Sequence, residues 1–109
     1  FCAVEGPPQI MRLYGKGRVI RRGSTEYSNL LASAFSGEEP EGARQMVFLD
    51  ADMVQTSCGY GVPLFEYQGE RPSLDNWAAA KTPEELEAYQ REKNQISLDG
   101  FPTGLFEDA

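Results

Sequence analysis

From Gln9 to Ile20 apolar and polar positions alternate: Met11, Leu13, Gly15, Gly17 and Val19 fall on one side, and Arg12, Tyr14, Lys16 and Arg18 on the other. A period of two is that of a β-strand, so the stretch predicts a half-buried strand with a basic polar face. Gly15 and Gly17 on its apolar side leave room for a close neighbour or mark a bend, as where a sheet curls. Before it, Phe1 to Val4 is apolar and strand-like, and Glu5, Gly6, Pro7 and Pro8 predict a reversal that no regular element crosses. Arg44 to Asp50 reads as a second strand, and its run Met46, Val47, Phe48, Leu49 is too continuously apolar for one face to lie in water, which predicts a central position. Ala51 to Met53 reads as a turn, with extended chain resuming over Val54 to Ser57.

Elsewhere the period lengthens. Tyr27, Leu30, Leu31, Ala34 and Phe35 recur at helical spacing behind a capping Ser24 and ahead of Gly37, which predicts an amphipathic helix packed on the sheet. The loop from Ser36 to Gly42 is acidic and reads as solvated surface. Ser73 caps a short predicted helix through Trp77 to Lys81. A further helix starts at Thr82, with Pro83 in its first position and Glu85 completing a capping box. Its apolar face is thin, mainly Leu86 and Tyr89, which places it on the outside of the domain. The tail from Ile96 reads as irregular, and no internal repeat is present.

The 109 residues suffice for one core, divided here into strands with one inserted helix over residues 1–72 and a helical extension of the same domain over 73–109. With 40% hydrophobic and 25% charged residues the composition is that of an ordinary globular chain. The formal charge of −7 repels phosphate backbones and anionic membranes, so neither a nucleic acid nor a membrane is expected as partner. The bases are nonetheless gathered in the first quarter, where Arg12, Lys16, Arg18, Arg21 and Arg22 could hold a small anion. No run approaches the roughly 18 apolar residues of a membrane span. The chain opens without methionine inside an apolar segment, which reads as a fragment.

Histidine is absent, which removes the commonest general base and metal ligand together with every Cys/His or Ser/His arrangement. Cys2 and Cys58 are too few for a disulfide scaffold and too far apart for a CxxC pair; reduced thiols in a cytoplasmic chain are the simpler reading, a long-range disulfide the lesser one. Cys58, between Ser57 and Gly59, invites a nucleophile reading but lacks a base, so a pocket-lining thiol is preferred. Asp50 and Asp52 read as turn residues rather than as a cation site. Gly15 and Gly17 in YGKGRV lack the strand–loop–helix setting of a phosphate loop. No metal-ligand set and no catalytic residue emerges.

The long strings FCAVEGPPQIMRLYGKGRVI and QMVFLDADMVQTSCG, with QTSCGYGVPLFEY, resemble the pyridoxamine 5′-phosphate oxidase-like family, flavoproteins of the FMN-binding split-barrel type. The resemblance covers nearly the whole chain and is nearest to an uncharacterised subgroup, of which this chain looks like the C-terminal part. It implies an α+β fold: a partial antiparallel split β-barrel with flanking helices, homodimeric, with FMN at the subunit interface. It implies flavin-dependent oxidoreduction of a small-molecule substrate, or else a flavin carrier that has lost turnover. In the oxidases a glutamine matching Gln9 touches the flavin phosphate region, and tryptophan, glutamine and glycine stand where Ser57, Cys58 and Gly59 stand here. Their Arg-x-His-x-Arg substrate motif has no counterpart, which points away from pyridoxamine phosphate as substrate. The cofactor-binding set expected from resemblance and charge together is Gln9, Arg12, Lys16, Ser57, Cys58 and Gly59. Related split barrels also hold deazaflavin or haem, and the lack of histidine speaks against haem.

Overall fold

The computed structural model describes residues 1–107. Its elements run strand β1 (Gln9–Arg21), helix α1 (Thr25–Ala34), strand β2 (Gln45–Cys58), helix α2 (Ser73–Ala79) and helix α3 (Pro83–Asn94). The fold class is α+β, with β1 and β2 paired as a two-stranded antiparallel sheet; this accords with part of a barrel, and a closed barrel is not present among the described residues. The chain divides into two compact units, one of residues 1–18 and 48–70, the other of residues 19–47 and those from 71 onward.

In the first unit the Glu5–Pro8 reversal forms as the sequence predicts, with Gly6 at φ 67°, a conformation that residues bearing a Cβ rarely adopt. It folds Phe1–Ala3 back onto the start of β1. The Ala3 amide donates to the Gln9 carbonyl at 2.9 Å, the Met11 amide to the Phe1 carbonyl at 2.9 Å, and Cys2 bridges to Ile10. Later, the Phe65 amide donates to the Val4 carbonyl at 2.8 Å and the Tyr67 amide to Glu5 Oε1 at 2.6 Å, tying the segment after β2 along the same edge.

Two expectations for β2 are corrected. The predicted turn at Ala51–Met53 is continuous strand. Gly15 explains how it passes: a Cβ there would strike the Asp50 carbonyl and come within 2.9 Å of Ala51 Cα, so the backbone of β2 occupies the space that a side chain would need. Gly17 has no such neighbour. Nor is β2 central. Among the described residues it is one of two strands, and Val47 is 70% exposed because nothing among them covers its apolar run.

The second unit holds the buried residues Ile20, Tyr27, Ala78, Leu86 and Gln90. Helix α1 is capped by Ser24, whose hydroxyl accepts from the Tyr27 amide at 3.1 Å, and it ends through Ser36 and Gly37, both left-handed. Of its expected apolar stripe only Tyr27 is buried, and Phe35 is exposed. The cap of α2 is Pro72 rather than Ser73, which is already the first helical residue, and α2 ends at Ala79 short of the predicted Lys81. For α3 the capping box is complete: Thr82 Oγ1 accepts from the Glu85 amide at 3.2 Å and Glu85 Oε2 accepts from the Thr82 amide at 2.9 Å. Tyr89 meets Trp77 edge to face at 5.0 Å between ring centroids. The tail, irregular as expected, is pinned by an Ile96–Pro102 bridge and by Arg21, which donates to the Gly104 carbonyl and pairs with Glu107 at 3.4 Å.

Among the described residues no helix is long and apolar enough to cross a membrane.

Candidate functional site

The rigid double proline delivers the chain into β1 at Gln9, while β2 ends at Cys58. Gly59 joins the two places. It is buried, and a Cβ on it would come within 2.7 Å of the Gln9 amide nitrogen and 3.0 Å of the Pro8 carbonyl carbon. Only glycine admits that approach, and the Val62 amide then donates to the Gly59 carbonyl at 2.9 Å to turn the chain away.

One step inward, Arg12 Nη1 donates to Ser57 Oγ at 3.1 Å, and beyond it the Tyr14 hydroxyl donates to Gln55 Oε1 at 3.3 Å. Five of the six expected residues, Gln9, Arg12, Ser57, Cys58 and Gly59, therefore gather where β1 begins and β2 ends. Lys16 stands further along the strand, on the side of the pleat that carries Arg12 and Tyr14, exposed and with no partner among the described residues. Next on that side, the Arg18 guanidinium lies 4.9 Å from the Phe48 ring centroid.

The surface so formed carries cations spaced two and four residues apart, with a hydroxyl and an amide between them, a donor set suited to an oxyanion such as phosphate. Apart from Gly59 its expected residues are exposed. It is one wall rather than an enclosed pocket. The concavity near it in the same unit is lined instead by Glu5, Gly6, Leu64, Phe65 and Glu66.

Cys58 and Cys2 are both free and exposed, and no hydrogen bond or ion pair engages either thiol among the described residues. The nucleophile reading gains no base. Asp50 and Asp52 are exposed strand residues, and no cluster of three His, Cys, Asp or Glu side chains able to hold a metal occurs among the described residues.

Sequence reasoning missed two features of the second unit. Glu39, read as part of a solvated acidic loop, accepts from Arg22 at 2.6 and 2.9 Å and from the buried Tyr27 hydroxyl at 2.7 Å. The Arg22 guanidinium holds the Glu39 carboxyl below its ordinary range, and burial, followed by the bond to Glu39, pushes the Tyr27 hydroxyl up to about 12. Gln90, a polar residue mid-helix that reads as surface, is buried and donates from Nε2 to the Gly42 carbonyl at 3.0 Å. An arginine beside a strand end and a tyrosine in a helical stripe were the only local signals for the first; nothing local signalled the second.

No family model matches the chain, and no solved structure matches it. Among curated proteins it is 34% identical over 115 residues to the pyridoxamine 5′-phosphate oxidase family protein ustO of Aspergillus flavus, an alignment covering 94% of this chain and 46% of that protein. The chain belongs to the pyridoxamine 5′-phosphate oxidase family. It spans about half the length of the curated relative it matches.

Proposed function

We propose that this chain contributes one wall of an FMN site and serves a flavin-dependent oxidoreductase acting on a small molecule. The observation that carries the reading is the convergence of Gln9, Arg12, Ser57 and Gly59 at one end of the sheet, in a chain of this family. Arg12 and Lys16 would hold the phosphate, with Gln9 and Ser57 as hydrogen-bonding neighbours. Gly59 lets the Pro8–Gln9 backbone pack against the end of β2, and beside it the small, exposed side chains of Ser57 and Cys58 would leave a planar ring room to approach. Bound FMN supplies two-electron redox chemistry of its own, which a site without histidine can accommodate because positioning and polarity are what the protein adds. The exposure of this wall fits a site completed by a second copy, and a homodimer is the proposed partner arrangement. Ser57 in place of the oxidases' tryptophan, and the missing Arg-x-His-x-Arg motif, favour a substrate other than pyridoxamine phosphate.

One observation favours a second reading, a flavin carrier without turnover: none of the six residues is a carboxylate or an imidazole able to move a proton. A visible spectrum of the purified full protein, followed by a nicotinamide reductant under nitrogen, separates the two. A yellow protein that bleaches and recovers in air supports the oxidoreductase. A yellow protein inert to the reductant supports the carrier, and a colourless one that ignores added FMN removes both.

A further inference from the structure

The second unit contains a cavity of about 600 Å³ between the start of α3, the segment around Gly42 and the tail at Leu105–Glu107. That volume lies within the roughly 300–1,000 Å³ of small-molecule sites. It shares no residue with the wall described above. Its apolar lining is Ala43, Leu86, Leu105 and Phe106, and the tail that supplies the last two is held in place by Arg21 and by Arg91, whose guanidinium lies 4.7 Å from the Phe106 ring centroid.

Its charges fall into two groups. Arg22, Glu87 and Glu107 line it but are neutralised from outside it, by Glu39 at 2.6 Å, Arg91 at 3.0 Å and Arg21 at 3.4 Å. Glu41, Arg44 and Glu84 also line it, and among the described residues they have no hydrogen-bonding or ion-pair partner; Lys81 is engaged only by the Trp77 ring, at 4.9 Å. Two cations and two carboxylates thus share one cavity without meeting. Oppositely charged groups that line one cavity unpaired are the complement of a ligand carrying both signs. Gln90 adds a polar contact. It is 9% exposed, its amide nitrogen is committed to Gly42, and its carbonyl oxygen is the group it can offer a donor.

We propose that this cavity binds a small zwitterion with an apolar body, of the size of a free amino acid or a dipeptide. Its carboxylate is taken by Arg44, its ammonium by the unpaired carboxylates Glu41 and Glu84 with Gln90 Oε1, and its apolar part by Leu86, Leu105 and Phe106.

The test is an NMR titration of the isotope-labelled full protein with L-phenylalanine and with its two half-analogues, phenethylamine, which lacks the carboxylate, and 3-phenylpropionate, which lacks the ammonium. L-phenylalanine is expected to shift the backbone amides of Leu86, Gln90, Leu105 and Phe106, and each half-analogue to bind roughly tenfold more weakly, the effect of losing one charge-assisted contact. In Arg44→Ala, whose exposed side chain leaves the fold intact, L-phenylalanine and phenethylamine should bind alike. No shift at those amides up to the solubility limit, half-analogues binding as tightly as the amino acid, or undiminished discrimination in Arg44→Ala would each overturn the proposal.

Discussion

Gly15, in the middle of β1, and Gly59, just past the end of β2, do different work from Gly17, and substitution separates them. Gly59→Ala drives a Cβ to 2.7 Å from the Gln9 nitrogen, a backbone atom that cannot rotate away, so a loss of about 1–3 kcal/mol is expected. Gly15→Ala meets the β2 backbone and should cost at least as much. Gly17→Ala enters open space and should change stability by less than about 0.5 kcal/mol. Denaturant melts of the three variants check this, and equal effects at Gly15 and Gly17 would contradict the register seen here. Cys58→Ser, at an unengaged thiol, is expected to leave flavin binding and any turnover intact; complete loss of activity would revive the nucleophile.

The Tyr27–Glu39–Arg22 contact makes a prediction in pH. Tyr27, raised from 10.0 to about 12, keeps its proton more tightly folded than unfolded, so its contribution is whole below pH 10 and is lost as pH rises through about 12. Glu39 is lowered, so its contribution is present above its ordinary value of 4.5 and is lost as pH falls through the lower folded value. Tyr27→Phe removes a hydrogen bond to a carboxylate and should cost about 1–2 kcal/mol at neutral pH. It should also flatten the alkaline limb of a stability-versus-pH curve; a limb parallel to that of the unmodified protein would contradict the assignment.

At the scale of elements, what was legible in the sequence was local. The helix starts at Ser24 and Thr82 follow from side chains that reach only three residues along the chain, and the double-proline reversal from backbone restrictions at those positions. Thr82→Ala should accordingly cost about 1 kcal/mol, read as a drop in melting temperature. The continuity of β2 was not legible. Asp50 and Asp52 carry the chemistry of a turn, yet the strand runs on, and the absent side chain of Gly15, on the other strand, leaves room for the backbone at Asp50 and Ala51. Gln90 was illegible for a related reason, since its burial depends on the Gly42 carbonyl far along the chain. Of the candidate site, the basic face of β1 could be read from alternation alone; that Gln9 and Gly59 adjoin came only through the family resemblance.

For the whole molecule the exposed apolar side chains are the telling feature. On the strands and the segment after β2, Val47, Val54, Tyr60 and Leu64 are 60–85% exposed. In the proposed homodimer, association would cover part of this surface. Sedimentation of the full protein is therefore expected to give a dimer at micromolar concentration, and a strictly monomeric species would remove the proposed arrangement.

The central claim is that the junction of β1 and β2 holds the phosphate-bearing end of a flavin. Quenching of FMN fluorescence by the full protein, compared with Gln9→Ala and Arg12→Ala, tests it most directly. Saturable quenching that weakens roughly tenfold in each variant is the predicted result; no quenching, or identical affinity in all three proteins, would contradict it.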